Sequence, residues 1–219
     1  MIKNKNLSIA LILFCIILYL IWSVLEVLVI PQIELQQISI DIIKEIILKI
    51  IIWLIPAIIL IRHFNKYMYI KKGEIISANL NCLRFIPVFL LFTVYHFISA
   101  YVQKGQISIS ESFGVVDIVI AFSVGISEEM VFRGWLLNST LNDKQKWVPV
   151  LINATMFLVI HFPIWIREGL FINYIVNGAF LSIIILSIIF SWTFIKSKSI
   201  IIPAALHMYW DFLCFLLYK

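Results

Sequence analysis

Residues 7–30 read LSIALILFCIILYLIWSVLEVLVI, an apolar run interrupted by a single charged side chain, Glu26. As a helix rising about 1.5 Å per residue, such a run spans the roughly 30 Å hydrocarbon core of a bilayer. The basic start that includes Lys3 and Lys5 resembles the front of a signal peptide. The run is too long for a signal h-region and lacks a clear small-residue cleavage site, so it reads as a retained first span.

Working outward, further apolar stretches occur at 46–61, 85–102, 113–137, 147–165, 170–195 and 200–218. The run at 46–61 is the weakest, being short and carrying Lys49 and Pro56; a lysine near the end of a span can snorkel to the interface. The whole chain has 219 residues, 63% of them hydrophobic and 13% charged, with a mean hydropathy of +1.05. A water-soluble fold has no means of hiding that much apolar surface. Backbone polar groups in lipid must be satisfied within the spanning segment, and sustained period-two strands are absent, so a β-barrel is disfavoured. The expected fold is all-α: a polytopic transmembrane bundle of about seven spans, in one membrane domain covering 1–219.

The formal charge of +5 does not indicate a nucleic-acid partner, because the basic residues lie between the apolar runs rather than on one face. Lys3 and Lys5, then Arg62 to Arg84, then Lys144 and Lys146, then Lys196 and Lys198 all fall on one side if seven spans alternate. The positive-inside rule makes that side cytoplasmic, predicting a multi-pass cell-membrane protein with a cytoplasmic N-terminus. The stretch 31–45 mixes isoleucine with charged and amide residues; it reads equally as an interfacial amphipathic helix or a polar connector. Cys15, Cys82 and Cys214 have no C-x-x-C spacing and read as buried bystanders.

Ionisable residues inside spans are costly, on the order of 3 kcal/mol on insertion scales, and so mark candidate functional positions. The fourth run holds Phe122-Ser-Val-Gly-Ile-Ser-Glu-Glu-Met-Val-Phe-Arg-Gly134. Glu129 and Arg133 share a helix face at i and i+4, whereas Glu128 points elsewhere and has no equally well placed local cation. A desolvated carboxylate in that position suits a general base. His161 closes Phe157-Leu-Val-Ile-His161 in the fifth run, and His207 shares a face with Asp211 in the seventh. Counted from the presumed cytoplasmic ends, Glu128 and His161 lie roughly 20 Å deep and His207 roughly 12 Å. His96, Asp117 and Glu26 read as satisfied structural residues, and His63 as solvated.

Glu128-Glu129-x-x-x-Arg133, Phe157-x-x-x-His161 and His207-x-x-x-Asp211 resemble the successive motifs of the CAAX-protease and bacteriocin-processing family of intramembrane endopeptidases. The likeness covers the latter half of the chain, with a family-like core at about 113–212. It implies that Glu128 activates water, that Glu129 and Arg133 support it, that His161 assists, and that His207 and the last polar residue steady an oxyanion. That last residue is Asp211 here, where many members carry asparagine. An ionised aspartate accepts hydrogen bonds and cannot donate to an oxyanion, which leaves orientation, ligation or donation while protonated. Members are commonly called metalloproteases, and Glu128, His161 and His207 could supply a Zn²⁺ set of one carboxylate and two imidazoles; the helical H-E-x-x-H signature is missing, and a Glu/His pair can also activate water without metal.

The expected activity is cleavage of membrane-associated, prenylated or leader-bearing peptides or proteins, with the lipid bilayer as the other partner. The competing classes are a proton-coupled transporter, which inverted repeats would favour and none is found, and a non-catalytic bacteriocin-immunity membrane protein, which loss of the motif residues would favour.

Overall fold

The computed structural model describes residues 4–77 and 80–219, with side chains left out at 80–82; Lys3 and the Cys82 thiol therefore lie outside the described residues. Seven long helical segments follow one another: α1 (Lys5–Gln32), α2 (37–63), α3 (Ile86–Lys104), α4 (115–140), α5 (Trp147–Arg167), α6 (Ala179–Ser197) and α7 (Ile201–Tyr218). There is no strand among the described residues. Five segments, namely α1, α3 (from Leu83), α5, α6 and α7, are long and apolar enough to cross a membrane.

The packing is inverted relative to a soluble bundle. In α1, Leu7, Leu11, Phe14, Leu18 and Trp22 form a buried stripe at three- and four-residue spacing, while Ile9, Ile12, Leu13, Ile16, Ile17 and Leu20 are exposed. Exposed apolar residues around most of a helix make sense only if the surroundings are lipid. The interior, conversely, holds Glu26, Lys44, Lys49, Glu128, Glu129, Arg133 and His207.

Contacts between helices fix their directions. Phe14 meets Trp135 and Trp22 meets Trp53, so α1 runs against α2 and α4. The Ser123 hydroxyl donates to the Glu45 carbonyl and Lys49 reaches Glu128, so α2 and α4 run together. Phe89 and Thr93 meet Tyr209 while Lys104 donates to the Leu217 carbonyl, so α3 and α7 run together. Tyr19 donates to the Met156 carbonyl and Arg167 pairs with Glu26, so α5 runs with α1; Glu129 meets His207 and Asp117 meets Lys219, so α7 runs against α4; Arg133 meets Ser187 and Leu137 shares a cluster with Phe194, so α6 runs with α4. Odd-numbered helices thus point one way and even-numbered helices the other. The loops that carry the basic residues gather at one end as a result. There Asn138 exchanges two hydrogen bonds with the Ile70 backbone, at 2.7 and 2.9 Å, Tyr69 donates to Asp143 at 2.9 Å, Arg84 donates to the Lys196 carbonyl, and Ile200 N–H donates to the Ile75 carbonyl.

Two sequence expectations change. The stretch 31–45 is neither wholly a connector nor a separate surface helix: only 33–36 are non-helical, and from Gln37 the chain runs as helix into α2, where Lys44 and Glu45 find buried ionic partners and need not stay in water. The run 170–195 is not one helix. Phe171–Val176 forms a short turn, Gly178 adopts φ 77°, and the Asn177 side chain caps Ala179 N–H before α6 starts. A left-handed glycine ends the helix where other residues would be strained.

The pair that carries the site is α4 against α7. A Cβ built on Gly125 would lie 2.5 Å from Met208 Cγ, 3.0 Å from Met208 N and 3.1 Å from the Ala204 carbonyl oxygen. Glycine lets the two backbones approach this closely, and one turn further along His207 faces Glu129.

Candidate active site

Glu128 and Glu129 leave α4 in different directions and meet the same imidazole at its two edges. Glu129 Oε1 lies 2.9 Å from His207 Nδ1, and Glu128 Oε2 lies 3.9 Å from His207 Nε2. With an acceptor at 2.9 Å, Nδ1 is the protonated nitrogen. The anticipated Glu129–Arg133 pair is present at 2.8 Å, both side chains being fully buried. Arg133 also donates to the Ser187 hydroxyl at 2.7 Å and to its carbonyl at 3.1 Å, tying α4 to α6. Its guanidinium carbon stands 4.6 Å from the Phe157 ring centroid and 5.4 Å from that of Phe190. Phe190 in turn stacks on His207, with centroids 4.9 Å apart and planes at 20°. Charge, hydrogen bonds and aromatic walls together fix this imidazole.

His161 sits where α5 breaks, after Val159 and before Phe162-Pro163. Its Nδ1 is 2.6 Å from the Phe157 carbonyl oxygen, so Nδ1–H donates and the neutral ring keeps Nε2 as an acceptor. Asp211 Oδ2 is 3.6 Å from His207 Nε2, outside hydrogen-bond length, so it is a charge neighbour of the ring rather than its hydrogen-bonded partner. Glu128, His161, His207 and Asp211 line one cavity of about 490 Å³, whereas Glu129 and Arg133 do not.

The sequence reading left Glu128 without a local cation; the structure corrects this. Lys49 of α2 reaches Glu128 Oε1 at 2.5 Å and Glu45 Oε2 at 2.7 Å. Its ammonium also faces the Trp53 and Trp22 rings at 5.2 and 5.7 Å. Lys49 is buried, so it does not snorkel: an acid on its own helix and another on α4 make the interior more favourable than the interface. Glu26, read as a satisfied structural residue, continues the same network: Lys44 bridges Glu45 (2.9 Å) to Glu26 (3.3 Å), and Arg167 holds the other Glu26 oxygen at 3.0 Å. Asp117 pairs with Lys219. Sequence alone gave no sign of Lys49 as a partner, because 79 residues separate it from Glu128.

Glu128, His161 and His207 share the cavity, but among the described residues no three His, Cys, Asp or Glu side chains are grouped as a metal ion requires. The Glu128 oxygen nearest Lys49 is already taken by an ammonium. The donor set therefore does not fit a Zn²⁺ ion as arranged.

Residues 110–213 match the family model described as Rce1-like, type II CAAX prenyl endopeptidase. No curated protein matches the chain, and no solved structure does.

Proposed function

From the premise that the chain belongs, through residues 110–213, to the CAAX-protease and bacteriocin-processing family, we propose that it hydrolyses a peptide bond inside the bundle with water activated by Glu128. The observation that carries this reading is the convergence of Glu128, His161 and His207, from three helices, on one cavity. A water between Glu128 and the His161 acceptor nitrogen gives up its proton to the carboxylate as its oxygen attacks the scissile carbonyl. Doubly protonated, His207 offers Nε2–H to the developing oxyanion, its charge balanced by Glu129 and Asp211. The proton held by Glu128 then passes to the leaving amine. Lys49 is a positioning residue in this scheme: it holds Glu128 by one oxygen and leaves the other facing His207.

The alternating helix directions support seven spans, and the basic loops gathered at one end support placing that end, with the N-terminus, on the cytoplasmic side of the cell membrane. Membrane-anchored or leader-bearing peptides are the substrate class this reading favours.

The test is cleavage of a membrane-anchored peptide by purified protein in detergent, comparing wild type with Glu128→Gln and His161→Ala and repeating the assay with a chelator. Loss of cleavage in both variants, each still folded, with the wild type indifferent to chelator, is the expected result. Undiminished cleavage by Glu128→Gln would sink the site. Chelator-sensitive wild type would replace the ammonium-held carboxylate with a metal-held one.

A further inference from the structure

We infer that the catalytic cavity is a shaft entered from the end of the bundle opposite the basic loops, and that its substrate is a peptide segment presented on the extracytoplasmic surface. The inference rests on the proposed reading of the cavity as the substrate site. It comes from the order of the lining residues. On α4 they step through Asp117, Ile120, Val124 and Glu128; on α7, through Tyr218, Cys214, Asp211 and His207. Those of α2 run from Asp41 through Glu45 and Lys49 to Trp53, and those of α1 from Glu26 to Trp22. Each set is a three- or four-residue stripe leading from the helix end away from the basic loops to the level of Glu128.

The shaft's depth sets how far a substrate must reach. Asp117 and Glu128 are eleven residues apart on one helix, which sets a depth of about 16 Å. A peptide segment entering in extended form, at about 3.3 Å per residue, needs roughly five residues to reach Glu128 from the mouth.

The two ends differ in a second way. The loop end carries Arg62, Lys66, Lys71, Lys72, Lys144, Lys146 and Lys198, with few acids among them. At the mouth, Lys44, Arg167 and Lys219 are each paired with a carboxylate. The positive-inside rule counts basic residues in short loops, so the loop end is cytoplasmic and the mouth faces out.

The experiment uses the full chain in intact bacterial cells, with Cys15, Cys82 and Cys214 changed to Ala and one new cysteine at a time. Glu34→Cys lies in the exposed connector between α1 and α2, beside the mouth; Lys72→Cys lies in the exposed basic loop. A membrane-impermeant maleimide is expected to label Glu34→Cys at once and Lys72→Cys only after the cells are opened. The reverse pattern would overturn the orientation and leave the protease reading standing. In the second arm, a membrane-anchored reporter peptide with a flexible scissile segment is added outside the cells, and cleavage that Glu128→Gln abolishes is expected. If the purified protein cuts that peptide in detergent while cells do not, entry from the outer end is wrong. If neither cuts it, the protease reading fails instead, whatever the labelling shows.

Discussion

Within residues 110–213, α4, α5 and α7 supply every side chain that the motifs single out, whereas α1–α3 hold none of them, and yet α2 provides the ammonium that touches Glu128. The reason lies in charge balance. Burying two adjacent carboxylates is tolerable only if each finds a counter-charge. Arg133 is committed to Glu129 and Ser187, so a cation for Glu128 has to come from another helix. The matched part holds the groups proposed to react; the other part completes their electrostatics through an ion chain that runs from Glu128 through Lys49, Glu45 and Lys44 to Glu26.

The largest expected effect of breaking this division is on the α4 side. Arg133→Met leaves Glu129 fully buried with only His207 beside it, and removing one partner of a buried pair costs about 3–5 kcal/mol. Thermal unfolding in detergent should show a strongly lowered transition, and cleavage should be lost. The double variant with Glu129→Gln should recover part of the stability but none of the activity. An unchanged transition for Arg133→Met would mean that neither its pair with Glu129 nor its bonds to Ser187 hold the bundle together.

On the α2 side the expected effect is smaller, because Lys44 still faces Glu45 and His207 still faces Glu128 when Lys49 loses its charge, and it falls on rate as well as on stability. Lys49→Met keeps much of the length of the side chain and removes the charge, so the trimming of contacts with Trp22 and Trp53 is modest. A hydrogen bond to a charged group contributes about 1.5–3 kcal/mol, which corresponds to a fall in kcat of about 10- to 150-fold with KM little changed. Lys49→Arg should retain more activity than Lys49→Met, since it restores a cation. If the methionine variant keeps full kcat, Lys49 only packs, and the comparison between the halves reduces to one of sequence.

How much of this could be read in advance follows from how local each feature is. The Glu129–Arg133 pair needed only helical spacing, and the all-helical architecture with helices long and apolar enough to cross a membrane needed only apolar runs. That His161 and His207 line the same cavity as Glu128 did not follow from depth: counting from loop ends placed His207 well short of the other two. The count assumed regular, parallel helices. In the structure α4 shifts to a wider π-type register over Met130–Leu137, α5 breaks at His161, and the close approach at Gly125 sets where α7 lies. Lys49 and Glu45 escaped notice because a buried ion pair between distant segments leaves no periodic trace. Lys49 in fact counted against its own span until its partners were seen.

The smallest expected effect concerns a buried histidine that belongs to neither network. His96 on α3, read from the sequence as a satisfied structural residue, is 2% exposed, yet neither ring nitrogen has a hydrogen-bond partner among the described residues. Its ring lies 4.3 Å from that of Trp210 and 5.7 Å from that of Tyr218, while Tyr218 O–H donates to its backbone carbonyl, a bond that survives any side-chain change. A polar ring without partners gives up its hydration and gains no hydrogen bond, so an apolar ring of similar shape is neutral or stabilising there. His96→Phe should therefore leave cleavage unchanged and raise the unfolding temperature slightly, with overpacking by the larger ring offsetting part of the gain. Lost cleavage in a folded His96→Phe protein would show that α3 reaches the chemistry through Trp210, next to Asp211, and would extend to α3 the role that the contacts give to α2 alone among the first three helices.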